Sequence, residues 1–215
     1  NGSIRKGEAA VNEKFFALPE EKRRRIVNAA MEAFGKNEYK RASTDDIAAR
    51  AGISKGLLFH YFGSKKELYF YLYRHVERMV AEQVADEKFA QISDFFELMA
   101  HGAEKKLKLV AENPYLMEFT VRVYSSRDER LAPELDARLQ QTLDGAVGYF
   151  KNIDFGKFRP GVDPMELLRM LTWMTLGYLE ELRRRGLPVD VEKVMRDYRR
   201  WSEMFRSMAY KEEYL

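Results

Sequence analysis

Residues 43–71, STDDIAARAGISKGLLFHYFGSKKELYFY, decide the fold. They read as two short helices around a tight turn, with a long third helix starting straight after. Ser43 or Thr44 supplies a hydroxyl that accepts from a free amide in the first turn of the first helix. Ile47, Ala48 and Ala51 then share one face, and Gly52 stops the helix, since glycine turns without a Cβ penalty. Ser54 opens the second helix, whose apolar Leu58, Tyr61 and Phe62 recur at helical spacing, and Gly63 ends it. Ser64 followed by Glu67 has the spacing of a reciprocal cap for the third helix, each side chain satisfying the other residue's backbone donor.

Two helices joined by a short glycine turn have helix-turn-helix geometry, in which the second helix lies in a DNA major groove. Plain structural hairpins share the pattern, so the outward residues carry the distinction. Lys55, Gly56, Leu57, Phe59 and His60 are what the second helix keeps once its core positions are removed. A basic group, a glycine that permits close approach and aromatic or methyl contacts suit a surface that reads base edges. Lys65 and Lys66 stand at the start of the third helix, where free amides and ammonium charge both favour a phosphate.

The residues TDDIA at 44–48 and AGISKGLLFHYFGSKKEL at 51–68 resemble the DNA-binding signature of the TetR family of bacterial repressors. The match is dense from Glu21 to Tyr71; beyond it the similarity rests on length and an all-helical layout. The resemblance implies that Lys55, Phe59 and His60 meet base edges or groove walls. It implies that Thr44, Leu57, Tyr61 and Lys65 meet the sugar-phosphate backbone, with Ser54, Gly56 and Lys66 completing the DNA-contact set. Leu57 departs from the small hydroxyl residue often found there. The resemblance also implies an effector pocket inside the helical body, and pairing through the last two long helices as a four-helix bundle.

Charge supports a local nucleic-acid surface. The net charge of +3 divides unevenly: residues 1–75 hold 15 Lys and Arg against 9 Asp and Glu, and the remainder 22 against 25. A basic head on a mildly acidic body is the expected footprint, although solvated helix faces alone would also give it. At 215 residues and 46% hydrophobic the chain buries a real core, and without cysteine it has no disulfide, thiolate nucleophile or cysteine metal site. No apolar run approaches a bilayer span and no secretory signal opens the chain, so the expectation is a soluble, cytoplasmic protein.

Taken in order, residues 1–18 read as an arm or short lead-in helix. From Glu20 a helix carries Ile26, Ala29, Ala30, Ala33 and Phe34 inward, with Lys22–Arg25 outward as either phosphate contacts or a solvated run. Tyr39 is expected to close the small core. The third helix runs from Lys65 to about Asp86 with Leu68, Leu72, Val76, Met79 and Val80 inward. A second long helix is expected from about Phe89 to Ala111, another from Asn113-Pro114 to Ser125-Ser126, and another from Pro133 to about Asn152. A loop over 152–163 precedes a helix from Asp163-Pro164 to Arg185, and Asp190 caps the last. The fold class is all-α: about nine helices, as a helix-turn-helix domain over 1–70 and a larger effector-binding and dimerisation domain over 71–215.

The penultimate helix is apolar nearly all round, from Leu167 to Leu179, and such a helix needs cover on every side. A second copy supplies it; a place at the centre of a monomeric bundle is the other reading. Phe95, Phe96, Met99, Met117, Phe119, Tyr124, Trp173, Met174 and Tyr178 are large soft side chains in the body. They are ordinary core by spacing, and candidates for a pocket taking an apolar or amphipathic effector by the resemblance. His75 and His101 lack ligand-spaced partners, and no HExxH, phosphate-cradling glycine loop or GxSxG occurs, so neither a metal, a cofactor nor an enzyme activity has support. The expected function is a ligand-responsive transcriptional regulator of repressor type, a homodimer on a palindromic operator. The alternatives are a helical small-molecule binder or enzyme whose hairpin is only structural, and an adaptor whose last helices dock a different protein.

Overall fold

The computed structural model describes residues 11–84, 86–113 and 115–215, without the side chains of 142–147. The described residues form ten α-helices: α1 (Glu13–Phe16), α2 (Glu20–Lys36), α3 (Thr44–Ala51), α4 (Lys55–Phe62), α5 (Lys65–Val84), α6 (Phe95–Glu112), α7 (Leu116–Tyr124), α8 (Ala132–Ala146), α9 (Pro164–Arg184) and α10 (Val191–Ala209). The helical class expected from the sequence is what the chain adopts. The count rises by one because residues 13–16 form a true helical turn, capped by the Asn12 side chain. The cap expected from Asn113-Pro114 rests on Pro114, outside the described residues.

Two compact units result, one from Asn1–Met79 with Asn113–Asp136, the other from Val80–Glu112 with Ala137–Leu215. In the first, α2 packs on α3, and Ile26, Ala30 and Phe34 of α2, Ile47 and Ala51 of α3, Leu58 and Phe62 of α4, and Leu68 and Leu72 of α5 are all buried. Tyr39 joins them, stacked on Phe34 at 6.0 Å and edge-on to Tyr69 at 5.4 Å. This unit takes in α7 as well as the amino-terminal helices. A Cβ on Gly35 would lie 3.0 Å from the Glu118 Cβ and 3.1 Å from the Phe119 nitrogen, so only glycine lets α2 and α7 approach so closely. Arg122 of α7 then donates to the Gly35 carbonyl at 3.2 Å and the Lys36 carbonyl at 3.3 Å, which satisfies the open end of α2. The Phe119 ring lies 5.4 Å from Tyr69, and α5 buries Tyr69, Phe70, Tyr71 and Tyr73 as well as the expected Leu68 and Leu72.

The second unit packs Phe95, Phe96 and Leu98 of α6 against Phe150, Phe158, Leu167 and Tyr210. The helix expected from about Phe89 begins instead at Phe95. Asp86 accepts from the Phe89 N–H at 2.8 Å and starts a short 3-10 turn; Asp94 accepts from the Phe96 and Glu97 N–H groups and starts α6. Side-chain carboxylates thus offer the backbone an alternative to helix, without any glycine or proline to mark it. The helix expected from Pro133 to Asn152 likewise ends at Ala146 and continues as a 3-10 turn over Val147–Phe150. Ser64 Oγ accepts from the Glu67 N–H at 3.1 Å, but the Ser64 N–H donates to the Phe62 carbonyl at 2.7 Å, so the expected reciprocal cap is made on one side only.

Asp94 joins three segments. Lys157 Nζ donates to it at 2.8 Å, Arg206 lies 3.6 Å away, and the Tyr210 hydroxyl accepts from the neighbouring Phe95 N–H. Burial pushes the carboxyl up, but Lys157, the backbone N–H of Glu97 and Arg206 outweigh it and hold the group below its ordinary value of 3.8. A carboxyl depressed in the fold contributes stability above its unfolded value and loses it as pH falls through the folded value. Asp94→Asn is therefore expected to cost about 1–3 kcal/mol at pH 7. The gap to wild type in urea unfolding should narrow at and below pH 3; an equal gap at both pH values would count against the network.

Candidate nucleic-acid interface

The turn motif forms as its residues dictate. Ser43 Oγ accepts from the Asp46 N–H at 3.3 Å and begins α3. Gly52 takes φ +66°, a left-handed conformation that disfavours any Cβ, and donates its N–H to the Ala48 and Ala49 carbonyls. Ser54 Oγ accepts from the Leu57 N–H at 3.1 Å and begins α4. Leu58 and Phe62 are then fully buried, and Tyr61 is 5% exposed. Leu57 and Phe59 are half-buried, while Ser54, Lys55, Gly56 and His60 are exposed. Burying one stripe of an eight-residue helix in this way leaves the opposite stripe facing outward.

The cations around α4 are engaged by the protein itself. Lys55 Nζ lies 2.8 Å from Asp45 of α3, and Lys66 lies 3.4 Å from Glu134 and over the Phe70 ring. Lys65 donates to the Lys40 carbonyl at 3.4 Å and sits 4.8 Å over the Tyr39 ring; burial, with Arg130 nearby, holds its pKa below the ordinary lysine value. Thr44, in the first turn of α3, is half-buried. Such exposed pairs are weak and exchangeable, so a phosphate competes for them readily. In the run Lys22–Arg25, two arginines prove to be structural: Arg23 donates to the Phe16 carbonyl at 3.3 Å and Arg25 Nε to the Ala51 carbonyl at 2.9 Å.

Residues 13–16, read only as an arm or short lead-in helix, form α1. Phe15 is fully buried, with its ring 4.8 Å from Phe62, 5.4 Å from Tyr71 and 5.8 Å from Tyr61. Asn12 donates its backbone N–H to the Tyr61 carbonyl at 2.8 Å. The paired aromatics Phe15-Phe16 before Pro19 were the available signal, but four residues are too few to show a period.

The pocket candidates do not share one place. Phe95, Phe96 and Met99 belong to the core of the second unit. Met117, Phe119 and Tyr124 belong to the first, where Phe119 is buried and Tyr124 is exposed. Trp173 and Met174 are exposed on α9, and Tyr178 meets Trp201 edge-on at 5.6 Å and lies within hydrogen-bond reach of Lys193. A groove of about 320 Å³ does open in the first unit, but its lining is charged: Glu21, Arg24, Arg25, Glu32 and Arg50, with Asn28, Ala29 and Tyr115. His75 stacks on Tyr71 at 5.9 Å, and burial with the nearby Arg78 pulls its pKa down to about 4, leaving it neutral at pH 7. His101 instead reaches Asp86 at 3.0 Å.

A capped turn, an outward stripe on a short second helix and lysines at the start of the next define a helix-turn-helix DNA-binding protein. Residues 26–72 match the model of the "Bacterial regulatory proteins, tetR family". The HTH-type transcriptional regulatory protein RaaS of Mycobacterium tuberculosis is 31% identical over 178 residues, 81% of this chain and 77% of that protein. The HTH-type transcriptional activator FasR of Mycolicibacterium smegmatis is 35% identical over 132 residues, 55% of this chain; the chain spans 60% of its length. A TetR family transcriptional regulator from Chloroflexus aurantiacus has the same fold, with a TM-score of 0.64 at 20% identity over 94% of this chain and all of that one. The chain belongs to the TetR family of helix-turn-helix transcriptional regulators. Among the described residues no helix is long and apolar enough to cross a membrane.

Proposed function

We propose that this chain is a cytoplasmic repressor that binds a palindromic operator as a homodimer and is released by an apolar or amphipathic small molecule. The observation that carries the reading is the exposed Lys55, Gly56 and His60 stripe, backed by the buried Leu58 and Phe62. Lys55, Phe59 and His60 read base edges in the major groove, with Gly56 permitting close approach. Thr44, Ser54, Leu57, Tyr61, Lys65 and Lys66 meet the backbone and set register. Leu57 has no hydroxyl and its N–H is taken by Ser54 Oγ, so its part at the backbone is apolar contact alone.

Exposed apolar side chains on the last two helices support dimerisation: Trp173 is 60% exposed, Met204 57% and Met208 59%. Surfaces of that kind usually mark a protein partner. A two-fold dimer then presents two copies of α4 to half-sites one helical turn, about 34–36 Å, apart. The effector acts in the helical body on the α5 helix, whose residues 65–79 fall in one unit and 80–84 in the other. A coupling of about 1–3 kcal/mol suffices to weaken DNA binding 5- to 150-fold.

Selection of duplexes from a random pool tests the reading. Wild type should enrich an inverted repeat, and Lys55→Ala or His60→Ala should change which bases are preferred within each half-site. Lys65→Ala should instead weaken binding to all sequences and lower the salt slope by about one. An unchanged slope removes Lys65 from the phosphate contacts, and failure to enrich any duplex at low salt rejects the reading outright.

A further inference from the structure

Asn12 ties the start of α1 to the end of α4. Its Oδ1 accepts from the Lys14 N–H at 3.0 Å and caps α1. Its backbone N–H donates to the Tyr61 carbonyl at 2.8 Å. Because the cap occupies Oδ1, the orientation of the amide is set, and Nδ2 faces α4, 3.4 Å from both the His60 carbonyl and the His60 Nε2. The last carbonyls of a helix have no partner within it, so Asn12 finishes the recognition helix from outside. An amide NH₂ is a donor only, and the imidazole nitrogen it meets must therefore accept. In a neutral ring that arrangement puts the proton on Nδ1.

We propose that Asn12 is a positioning residue for DNA readout: it fixes the end of α4 and holds His60 as the Nδ1–H tautomer, presenting a donor to an acceptor on DNA. The proposal rests on the reading of α4 as the recognition helix with His60 on its DNA face. A guanine O6 or N7 is such an acceptor on a base edge, and a phosphate oxygen is one on the backbone. Asparagine fits the place because the α1 cap requires an acceptor while the α4 end requires donors. Aspartate caps a helix equally well. It would set a negative charge at the negative end of α4, and its carboxylate would accept from Nε2–H, reversing the tautomer. Serine keeps the capping oxygen and removes the amide donors.

Two measurements on the full chain test this. Ring ¹⁵N shifts of His60 should report Nδ1–H in wild type and Nε2–H in Asn12→Asp. Selection from a random duplex pool should show Asn12→Ser and Asn12→Asp changing base preference at the positions that His60→Ala changes. Asn12→Asp should also weaken binding to the wild-type-selected duplex about tenfold or more. A residue that only stabilised the fold would weaken all duplexes alike and leave preference unmoved. If His60→Ala alters preference and both Asn12 variants keep the wild-type profile, the positioning role is overturned while the reading face stands. If His60→Ala leaves the profile unchanged, the reading face falls and the proposal with it. Should Asn12→Asp not fold, Asn12→Ser and the wild-type tautomer still decide: Nε2–H in wild type overturns the proposal.

Discussion

Phe15→Ala is expected to destabilise the amino-terminal unit by about 3–5 kcal/mol, the range for truncating a fully buried phenylalanine. The ring has no exposure and touches Phe62, Tyr61 and Tyr71, so its removal opens a cavity between α1, α4 and α5. Whole domains are stable by only about 5–15 kcal/mol, so this one substitution consumes a large share of that margin. DNA binding should weaken in parallel as temperature rises, because the face of α4 opposite its base-reading stripe loses its support. Urea unfolding followed by near-ultraviolet circular dichroism gives the number, and Phe15→Leu, which refills most of the space, should lose much less. A change below about 1 kcal/mol for alanine would mean that α1 does not dock on α4 in solution. That result would also remove the basis for a role of Asn12.

Charging the exposed apolar face of the last helices should have the other large effect. Trp173→Asp combined with Met208→Asp places two carboxylates where 60% and 59% exposed apolar side chains stand. In an isologous contact each substitution appears twice, so the two copies meet four added charges. Sedimentation velocity should shift from twice the chain mass to the chain mass. Affinity for an inverted repeat should fall about 10²- to 10⁴-fold, the range set by losing the second binding event, while affinity for an isolated half-site stays the same. Thermal unfolding of the variant monomer separates this from misfolding. A wild type that sediments as a monomer at micromolar concentration, or a double variant that remains dimeric, would defeat the dimer reading.

The head of this protein was legible because its determinants are local. Hydroxyl caps at Ser43 and Ser54, glycine stops at Gly52 and Gly63 and an apolar stripe at Leu58, Tyr61 and Phe62 each act within a few residues. The end of α5 near Asp86 was legible, but the delay of the next helix to Phe95 was not, since an aspartate sets a helix start only when its carboxylate meets the right amides. The pocket candidates scattered for a related reason: apolar spacing identifies a face that wants cover but not which face covers it.

By itself the sequence determined an all-helical chain, a capped turn with a basic outward stripe, and membership of a family of DNA-binding regulators. Tertiary structure alone decided that Phe15 seals α4, that Gly35 admits α7 onto α2, and that Asn12 spends its two functional groups on different helices. The division follows from range. Caps and turns are fixed by neighbours in the chain, whereas a buried ring or a bridging amide takes its meaning from partners that folding brings from far along the chain, as Asn12 and His60 are brought together across 48 residues.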